Sequence, residues 1–180
     1  MIYCFLADGF EEVEALAAVD MIRRAGLDLE TVGVSSEIIE GAHGIKVMCD
    51  CTADKIVLDS NLDAVILPGG IPGTLNLEKN ETVQKAVDFA AENGKLICAI
   101  CAAPSILGHK GLLRGKEAIA YPGFEKDLAG ASVSEKYVVR DGNIITAKGA
   151  GVAVDFGLEI VKAVSGAEKS DEIRKAIQCR

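Results

Sequence analysis

The chain has 180 residues, 49% hydrophobic and 26% charged, as expected of one globular domain with a full core. A net charge of -8 without any basic run argues against nucleic acid or an anionic membrane surface as partner. The N-terminal segment reaches an acidic residue too early for a signal peptide. No apolar run approaches the roughly 18 residues that a membrane span needs. We therefore expect one cytoplasmic domain over residues 1–180, with its six cysteines as thiols.

Short apolar runs alternate along the chain with longer amphipathic stretches. The runs predict strands at Ile2 to Ala7, Leu29 to Val34, Ala64 to Leu67, Lys95 to Ile100 and Asn143 to Ala147. The amphipathic stretches predict helices over residues 11–25, 81–92 and 152–164, with glycines near their ends for left-handed C-caps: Gly26, Gly94 and Gly166. This alternation indicates an α/β domain with a doubly wound, mostly parallel sheet.

Ligands of such sheets bind beyond the carboxyl ends of the strands. Three predicted loops lie at that edge, over residues 7–12, 68–74 and 101–104. The functional residues are therefore expected in these loops.

Cys101 follows the predicted strand that ends at Ile100, where the sequence changes to small residues and Pro104. This pattern is typical of a nucleophile on a sharp strand-to-helix turn, and proline suits the first helical turn. The partial positive charge of a helix N-terminus favours thiolate, so we expect the pKa of Cys101 to lie well below about 8.5. A small buried cysteine without chemistry would fit the same local pattern.

The segment Pro68-Gly-Gly-Ile-Pro-Gly73 follows a buried strand. It suits either an oxyanion hole built from backbone amides or a tight turn that needs glycine. No Gly-Lys-Ser/Thr follows it, and the first strand-helix turn lacks a Gly-x-Gly-x-x-Gly fingerprint. We therefore expect no nucleotide cofactor.

Glu14 lies beside the apolar stripe that Ala15, Val19 and Ile22 form on the first predicted helix. Burial there would raise the pKa of its carboxyl. A protonated carboxyl could donate a hydrogen bond to the thiolate of Cys101 and form a coupled acid and nucleophile pair. The sequence alone does not show that the two side chains meet.

Four segments, in order, resemble the ThiJ/PfpI superfamily, in its branch of the parkinsonism-associated protein deglycase and bacterial relatives. They are Asp8-Gly-Phe-Glu-Glu-Val-Glu14, Asp20-Met-Ile-Arg-Arg-Ala-Gly26, Leu67-Pro-Gly-Gly70 and Ala99-Ile-Cys-Ala-Ala-Pro104. The resemblance implies a flavodoxin-like sandwich of the class I glutamine amidotransferase type. It also implies a homodimer in which the first helix packs against its mate.

The same resemblance implies roles for individual residues. Cys101 would be a nucleophile on a strained elbow, Glu14 would contact its sulfur, and the amides of Gly69, Gly70 and Ala102 would stabilise an oxyanion. The implied activity is that of a cofactor-free, glutathione-independent glyoxalase or protein deglycase. Its substrates would be methylglyoxal-type carbonyls and their adducts.

Two departures from the family pattern change the expected chemistry. Ala102 stands where the protease-like branch usually carries histidine, so peptidase activity is not expected. Tyr121-Pro122 replaces a His-Pro pair of many relatives, which leaves Glu14 or the Tyr121 hydroxyl as proton shuttle. His109 would lie roughly 12 Å along a helix from Cys101 and is interpreted as structural. His43 is interpreted as a loop residue that could border the pocket.

Three other functions fit parts of the sequence. Cys98 and Cys101 have the spacing of a dithiol redox motif. Thioredoxin-like sites place this pair at the start of a helix, whereas Cys98 falls inside a predicted strand, so redox exchange is disfavoured. Cys49 and Cys51 lack further ligands for a metal, so no metal site is expected. A reactive thiol at Cys101 could instead serve an oxidant sensor or redox-regulated chaperone.

Overall fold

The computed structural model describes residues 1–179. Its strands are β1 (Ile2–Leu6), β2 (Leu29–Gly33), β3 (Ile38–Glu40), β4 (Lys46–Met48), β5 (Cys51–Thr52), β6 (Ala64–Leu67), β7 (Leu96–Ile100), β8 (Glu117–Ala118), β9 (Ser132–Val133), β10 (Val138–Asp141) and β11 (Ile144–Ala147). Its α-helices are α1 (Glu12–Arg24), α2 (Gly73–Lys79), α3 (Glu81–Glu92), α4 (Pro104–His109), α5 (Ala153–Ser165) and α6 (Ala167–Ala176). Within residues 1–179, no helix combines the length and hydropathy of a membrane span.

Seven strands form one sheet in the order β10-β11-β7-β6-β1-β2-β5. The pairs are parallel except β10 with β11, so the antiparallel strand lies at an edge. This confirms the predicted α/β fold with a mostly parallel sheet. The five predicted strands correspond to β1, β2, β6, β7 and β11, and the three predicted helices to α1, α3 and α5.

Alternate side chains of β1 lie in the two hydrophobic clusters on opposite faces of the sheet. Ile2, Cys4 and Leu6 join the cluster under α1, α5 and α6, whereas Tyr3 and Phe5 join the cluster under α2, α3 and α4. Successive side chains of a strand point to opposite faces, so a strand covered by helices on both sides is apolar throughout. This explains the unbroken apolar runs of the sequence.

Several short elements were not predicted from the sequence. They are the β3–β4 hairpin, the edge strands β5 and β10, the small β8–β9 pair, and the helices α2, α4 and α6. Helices α2 and α4 have 7 and 6 residues, too few to display a clear helical periodicity. Both are held by tertiary packing, since isolated helices of this length are unstable.

Backbone hydrogen bonds join the loops at the carboxyl ends of the strands. The Glu11 N–H donates to the Gly69 carbonyl at 2.9 Å, and the Gly73 N–H donates to the Gly9 carbonyl at 3.1 Å. The N-terminus of α1 is thereby attached to the loop that follows β6. On its other side α1 packs closely on α5, where a Cβ at Gly157 would lie 2.9 Å from Ala18 Cα.

Candidate active site

Cys101 occupies a strained backbone position at the carboxyl end of β7. Its φ is +65°, in the left-handed region that a non-glycine residue rarely adopts at a cost on the order of 1–3 kcal/mol. Two hydrogen bonds hold it there: its N–H donates to the Ala147 carbonyl at 2.9 Å, and its carbonyl accepts from the Tyr121 N–H at 2.8 Å. The residue remains partly exposed, whereas most of the other cysteines are buried.

Glu14 meets Cys101 beneath this turn. Its side chain is 1% exposed, and it is hydrogen-bonded to the Cys101 side chain. The Gly69 N–H donates to Glu14 Oε2 at 2.9 Å, and the Ala150 N–H adds a further hydrogen bond. The predicted pairing of these two side chains is therefore present in the structure.

Gly69 and Gly70 are needed for separate reasons. A Cβ on Gly69 would lie 2.5 Å from Cys101 Cβ and 2.6 Å from Glu14 Oε2, so any side chain would separate the pair. Gly70 has a φ of +91°, and a Cβ there would lie 2.4 Å from the Glu11 nitrogen. The segment is thus a tight turn that needs glycine, and it also brings its amides to the site, whereas its interpretation as an oxyanion hole stays a prediction.

Burial controls the ionisation of the pair. It raises the pKa of Glu14 from 4.5 to about 7 against the opposing hydrogen bonds from Cys101, Gly69 and Ala150. Burial and the Glu14 carboxylate raise the pKa of the Cys101 thiol to about 12 as long as Glu14 is ionised. Two negative charges in direct contact are unfavourable, so the pair holds one proton over a wide pH range.

The predicted lowering of the Cys101 pKa by the following helix is not what the structure shows. The helix α4 begins only at Pro104 and has 6 residues, so its dipole is short, and burial outweighs it. The opposing contributions come from the amides of Gly70 and Ala102, whose hydrogen bonds to the sulfur lower the pKa. A thiolate at neutral pH therefore requires that Glu14 keep the shared proton.

The three predicted oxyanion donors divide into two groups. The Gly69 N–H is occupied by the Glu14 carboxyl at 2.9 Å, so it is not available for an oxyanion while that bond lasts. The amides of Gly70 and Ala102 point at the Cys101 sulfur. Of the three predicted donors, Gly70 and Ala102 are therefore the two whose amides face the sulfur, and their role as oxyanion donors stays a prediction.

A fourth loop, which was not among the three predicted from the sequence, completes the site. Residues 148–152 follow β11 and line a cavity of about 400 Å³ together with Tyr121, Pro122 and Tyr137. A Cβ on Gly149 would lie 3.2 Å from the Tyr121 ring and 3.9 Å from Glu14 Oε1, which connects the cavity to the acidic side chain. The signal was available, because this loop also lies at the carboxyl end of a predicted strand.

The two histidines lie elsewhere. His43 is in the β3–β4 turn, where its Nδ1 lies 2.9 Å from Glu12 Oε2, and this hydrogen bond raises the pKa of His43. The Glu12 carboxylate also accepts the His43 N–H at 2.8 Å, so these residues join the hairpin to α1. His109 is hydrogen-bonded to Glu78 at 2.6 Å, as a structural residue would be. Neither histidine lines the cavity beside Tyr121.

The other cysteines differ from Cys101 in environment. Cys98 is fully buried inside β7, and burial raises its pKa, so it is unsuited to rapid thiol exchange. Burial also raises the pKa of Cys49 to about 11 and that of Cys51 to about 12. Between them, Asp50 accepts from the Thr31 hydroxyl and N–H, which is a structural contact.

Comparison with known proteins places this arrangement among relatives. Residues 1–163 match the DJ-1/PfpI family. Protein dj-1beta of Drosophila melanogaster is 34% identical over 175 residues, which cover 96% of this chain and 93% of that protein. Protein DJ-1 homolog A of Arabidopsis thaliana is 36% identical over 97% of this chain, which spans only 45% of that longer protein.

Two further matches bear on activity and fold. The glutathione-independent glyoxalase DJR-1.2 of Caenorhabditis elegans is 32% identical over 93% of this chain and 89% of that protein. The solved structure of oxidized Toxoplasma gondii DJ-1 superposes with a TM-score of 0.94 at 29% identity, covering 99% of this chain and 97% of that one. The similarity thus extends over the whole sheet and both helical layers.

Proposed function

This chain belongs to the DJ-1/PfpI family, and from that premise we propose that it is a cysteine-dependent, glutathione-independent glyoxalase that acts on methylglyoxal-type 2-oxoaldehydes. The observation that carries the proposal is the pairing of a partly exposed Cys101 at φ +65° with the buried Glu14 carboxyl. A relative that bears the name of this activity, DJR-1.2 of C. elegans, supports the choice of reaction.

The first step of the proposed reaction uses the single proton of the pair. The Cys101 thiolate attacks the aldehyde carbon and forms a C–S bond, while the carbonyl oxygen takes the proton from Glu14. The products are a hemithioacetal and a Glu14 carboxylate. The developing charge on oxygen is stabilised by the amides of Gly70 and Ala102.

The second step transfers a proton between neighbouring carbons. The Glu14 carboxylate removes the proton from C1 to form an enediolate and returns it to C2, while the C1 hydroxyl proton moves to the C2 oxygen. C1 is thereby oxidised and C2 reduced, without an external electron carrier. The resulting thioester is hydrolysed by water, which releases a 2-hydroxy acid, returns a proton to Glu14 and restores the thiolate.

Deglycation would start from a hemiaminal, in which the aldehyde carbon is already bonded to a protein amine. The C–N bond breaks, the nitrogen takes the proton from Glu14, and the C–S bond to Cys101 forms, which gives the free amine and the same hemithioacetal. We include this protein deglycase activity in the proposal. The Tyr121 hydroxyl is a second candidate for proton transfer, since the Tyr121 side chain lines the adjoining cavity. The Tyr121 backbone N–H also donates a hydrogen bond to the Cys101 carbonyl. Ala102 supplies no histidine for a peptidase mechanism.

A second candidate function is an oxidative-stress sensor or redox-regulated chaperone. It is favoured by the partial exposure of Cys101 and by the amides and the carboxyl around its sulfur, which would also bind a sulfinate. The T. gondii relative was solved in an oxidized form. The same residues serve both functions, so only measurement of turnover distinguishes them.

We further propose that the protein is a homodimer of the cytoplasm. Large apolar side chains are exposed on α1 and on the neighbouring hairpin, including Val13 at 53% and Met48 at 74%. Burial of such side chains against a second copy would stabilise association. A reactive Cys101 thiol also needs a reducing compartment.

The test is lactate formation from methylglyoxal without added glutathione. We expect turnover by the wild-type protein and by Cys179→Ser, a control that alters another partly exposed cysteine, but none by Cys101→Ser. Equal activity of Cys101→Ser and wild type would refute the nucleophile. Absence of turnover in the wild-type protein, with selective oxidation of Cys101, would favour the sensor.

A further inference from the structure

The backbone of Lys148 lies beside that of Cys101 because of the sheet register. Strand β11 pairs in parallel with β7, with Ala147 opposite Ile100. Lys148 and Cys101 are the next residues of these two strands, and paired strands lie about 4.8 Å apart. The hydrogen bond from the Cys101 N–H to the Ala147 carbonyl, 2.9 Å long, shows that the pairing continues to this point.

The Lys148 side chain lines the cavity of about 400 Å³ that adjoins Glu14. Its Nζ lies over the Tyr137 ring, 5.2 Å from the centroid, and its own N–H donates to the Tyr137 carbonyl at 2.9 Å. The aromatic ring and this backbone bond hold the ammonium group at the cavity wall.

The ammonium of Lys148 has no carboxylate within 4.0 Å in residues 1–179, although the chain carries 27 acidic residues. Glu125 is the acidic residue that interacts with it at longer range. Backbone hydrogen bonds hold the pKa of Glu125 below its usual value, and the attraction of Lys148 adds to them. The Glu125 carboxylate accepts the Gly123 N–H at 2.6 Å and does not form an ion pair with Lys148 within 4.0 Å.

We propose that this cavity is a recognition site for a carboxylate, and that the preferred substrates are 2-oxoaldehydes that carry one. The proposal rests on the proposed function and adds a substrate class to it. The aldehyde would be placed at Cys101 while the carboxylate pairs with Lys148 in the cavity that Tyr121 and Tyr137 also line. Methylglyoxal, with three carbons and no charge, would leave the ammonium without a partner.

The first experiment compares two substrates of equal chain length. 4,5-Dioxopentanoate carries the carboxylate and would give 2-hydroxyglutarate, whereas 2-oxopentanal is uncharged. We expect Lys148→Gln to lower kcat/KM for 4,5-dioxopentanoate by about tenfold, as for loss of one charged hydrogen bond, and for 2-oxopentanal by less than about twofold. Lys148→Arg should restore most of the loss, and Lys55→Gln, an equal charge change beyond β5 near the far edge of the sheet, should have no effect.

The second experiment does not depend on turnover. Iodoacetate and iodoacetamide alkylate the same thiol and differ in charge, so the ratio of their rates at Cys101 reports attraction of a carboxylate independently of the thiol pKa. We expect this ratio to fall several-fold in Lys148→Gln and to be unchanged in Lys55→Gln.

The two experiments separate the two proposals. If neither oxoaldehyde is turned over by wild type but the alkylation ratio falls in Lys148→Gln, the glyoxalase function is refuted and the carboxylate site is supported. If both substrates lose activity equally, or the alkylation ratio does not change, Lys148 does not recognise a carboxylate and the inference is overturned.

Discussion

Substitution of Glu14 by glutamine shows which member of the pair carries the negative charge. The Glu14 side chain is 1% exposed, whereas Cys101 is partly exposed. A charge is less costly on the group that retains contact with solvent. We therefore expect the shared proton on Glu14 and the charge on the sulfur, where the amides of Gly70 and Ala102 also stabilise it.

The expected magnitude follows from the hydrogen bonds. In the expected state of the wild-type pair, a carboxylic acid donates to a thiolate, and glutamine would replace this donor with a weaker neutral amide. The difference between a strong charged hydrogen bond and an ordinary one is about 1.4 kcal/mol, which corresponds to about one pH unit. The midpoint of thiolate formation at Cys101 should rise by about that amount in Glu14→Gln.

Thiolate absorbance near 240 nm measured against pH gives the midpoint, with Cys101→Ala as the background. Glu12→Gln is a matched control, because Glu12 is also buried but contacts His43 instead of the thiol. The opposite protonation state predicts a shift of the midpoint in the opposite direction. If Glu14 is ionised in the wild-type pair, its carboxylate holds the Cys101 pKa near 12, and glutamine would lower the midpoint. A lower midpoint in Glu14→Gln would refute the thiolate assignment.

Three further predictions concern the same pair. Glu14→Gln should reduce turnover of methylglyoxal by about two orders of magnitude, because the amide cannot remove the C1 proton; a loss of only a few-fold would assign that proton to another group such as Tyr121. Mild peroxide should add two oxygens at Cys101 before Cys49, Cys51 or Cys179 and abolish turnover in parallel, as peptide mass spectrometry during a titration would show; earlier oxidation of another cysteine would contradict the inferred environment. Burial raises the pKa of Glu14 from 4.5 to about 7, so the folded protein holds a proton that the unfolded chain has released. In a Cys101→Ser background, the free energy of unfolding should therefore fall by about 3 kcal/mol as the pH rises through this interval, and denaturant titrations of Cys101→Ser/Glu14→Gln should lack that decline.

Periodicity along the chain was sufficient to predict the central elements. The strands β1, β2, β6, β7 and β11 are buried on both faces, and such strands have continuous apolar runs that can be recognised without tertiary information. The elements that were not predicted from the sequence are short, exposed or dependent on their neighbours. The hairpin is one example, because its connection to α1 depends on the Glu12 carboxylate, which is distant from His43 in sequence.

The site was predictable only in part for a related reason. The elbow at Cys101 and the acidic residue at the edge of a buried helical face are local patterns, and both could be found in the sequence. Lys148 was not selected because no recognised motif follows its strand, although its loop lies at the carboxyl end of that predicted strand. Its significance comes from the register that places β11 beside β7.

The sequence by itself determined the layered fold, because the fold depends on local spacing. Together with the family pattern, it also predicted Cys101 and Glu14 as the reactive pair. The tertiary structure decided the ionisation. A carboxyl and a thiol share one proton only when burial and direct contact act together, and both arise from the packing of α1 over the turn at Gly69. It also decided which amides face the sulfur and which cation faces the cavity, since these depend on distances between residues far apart in the chain.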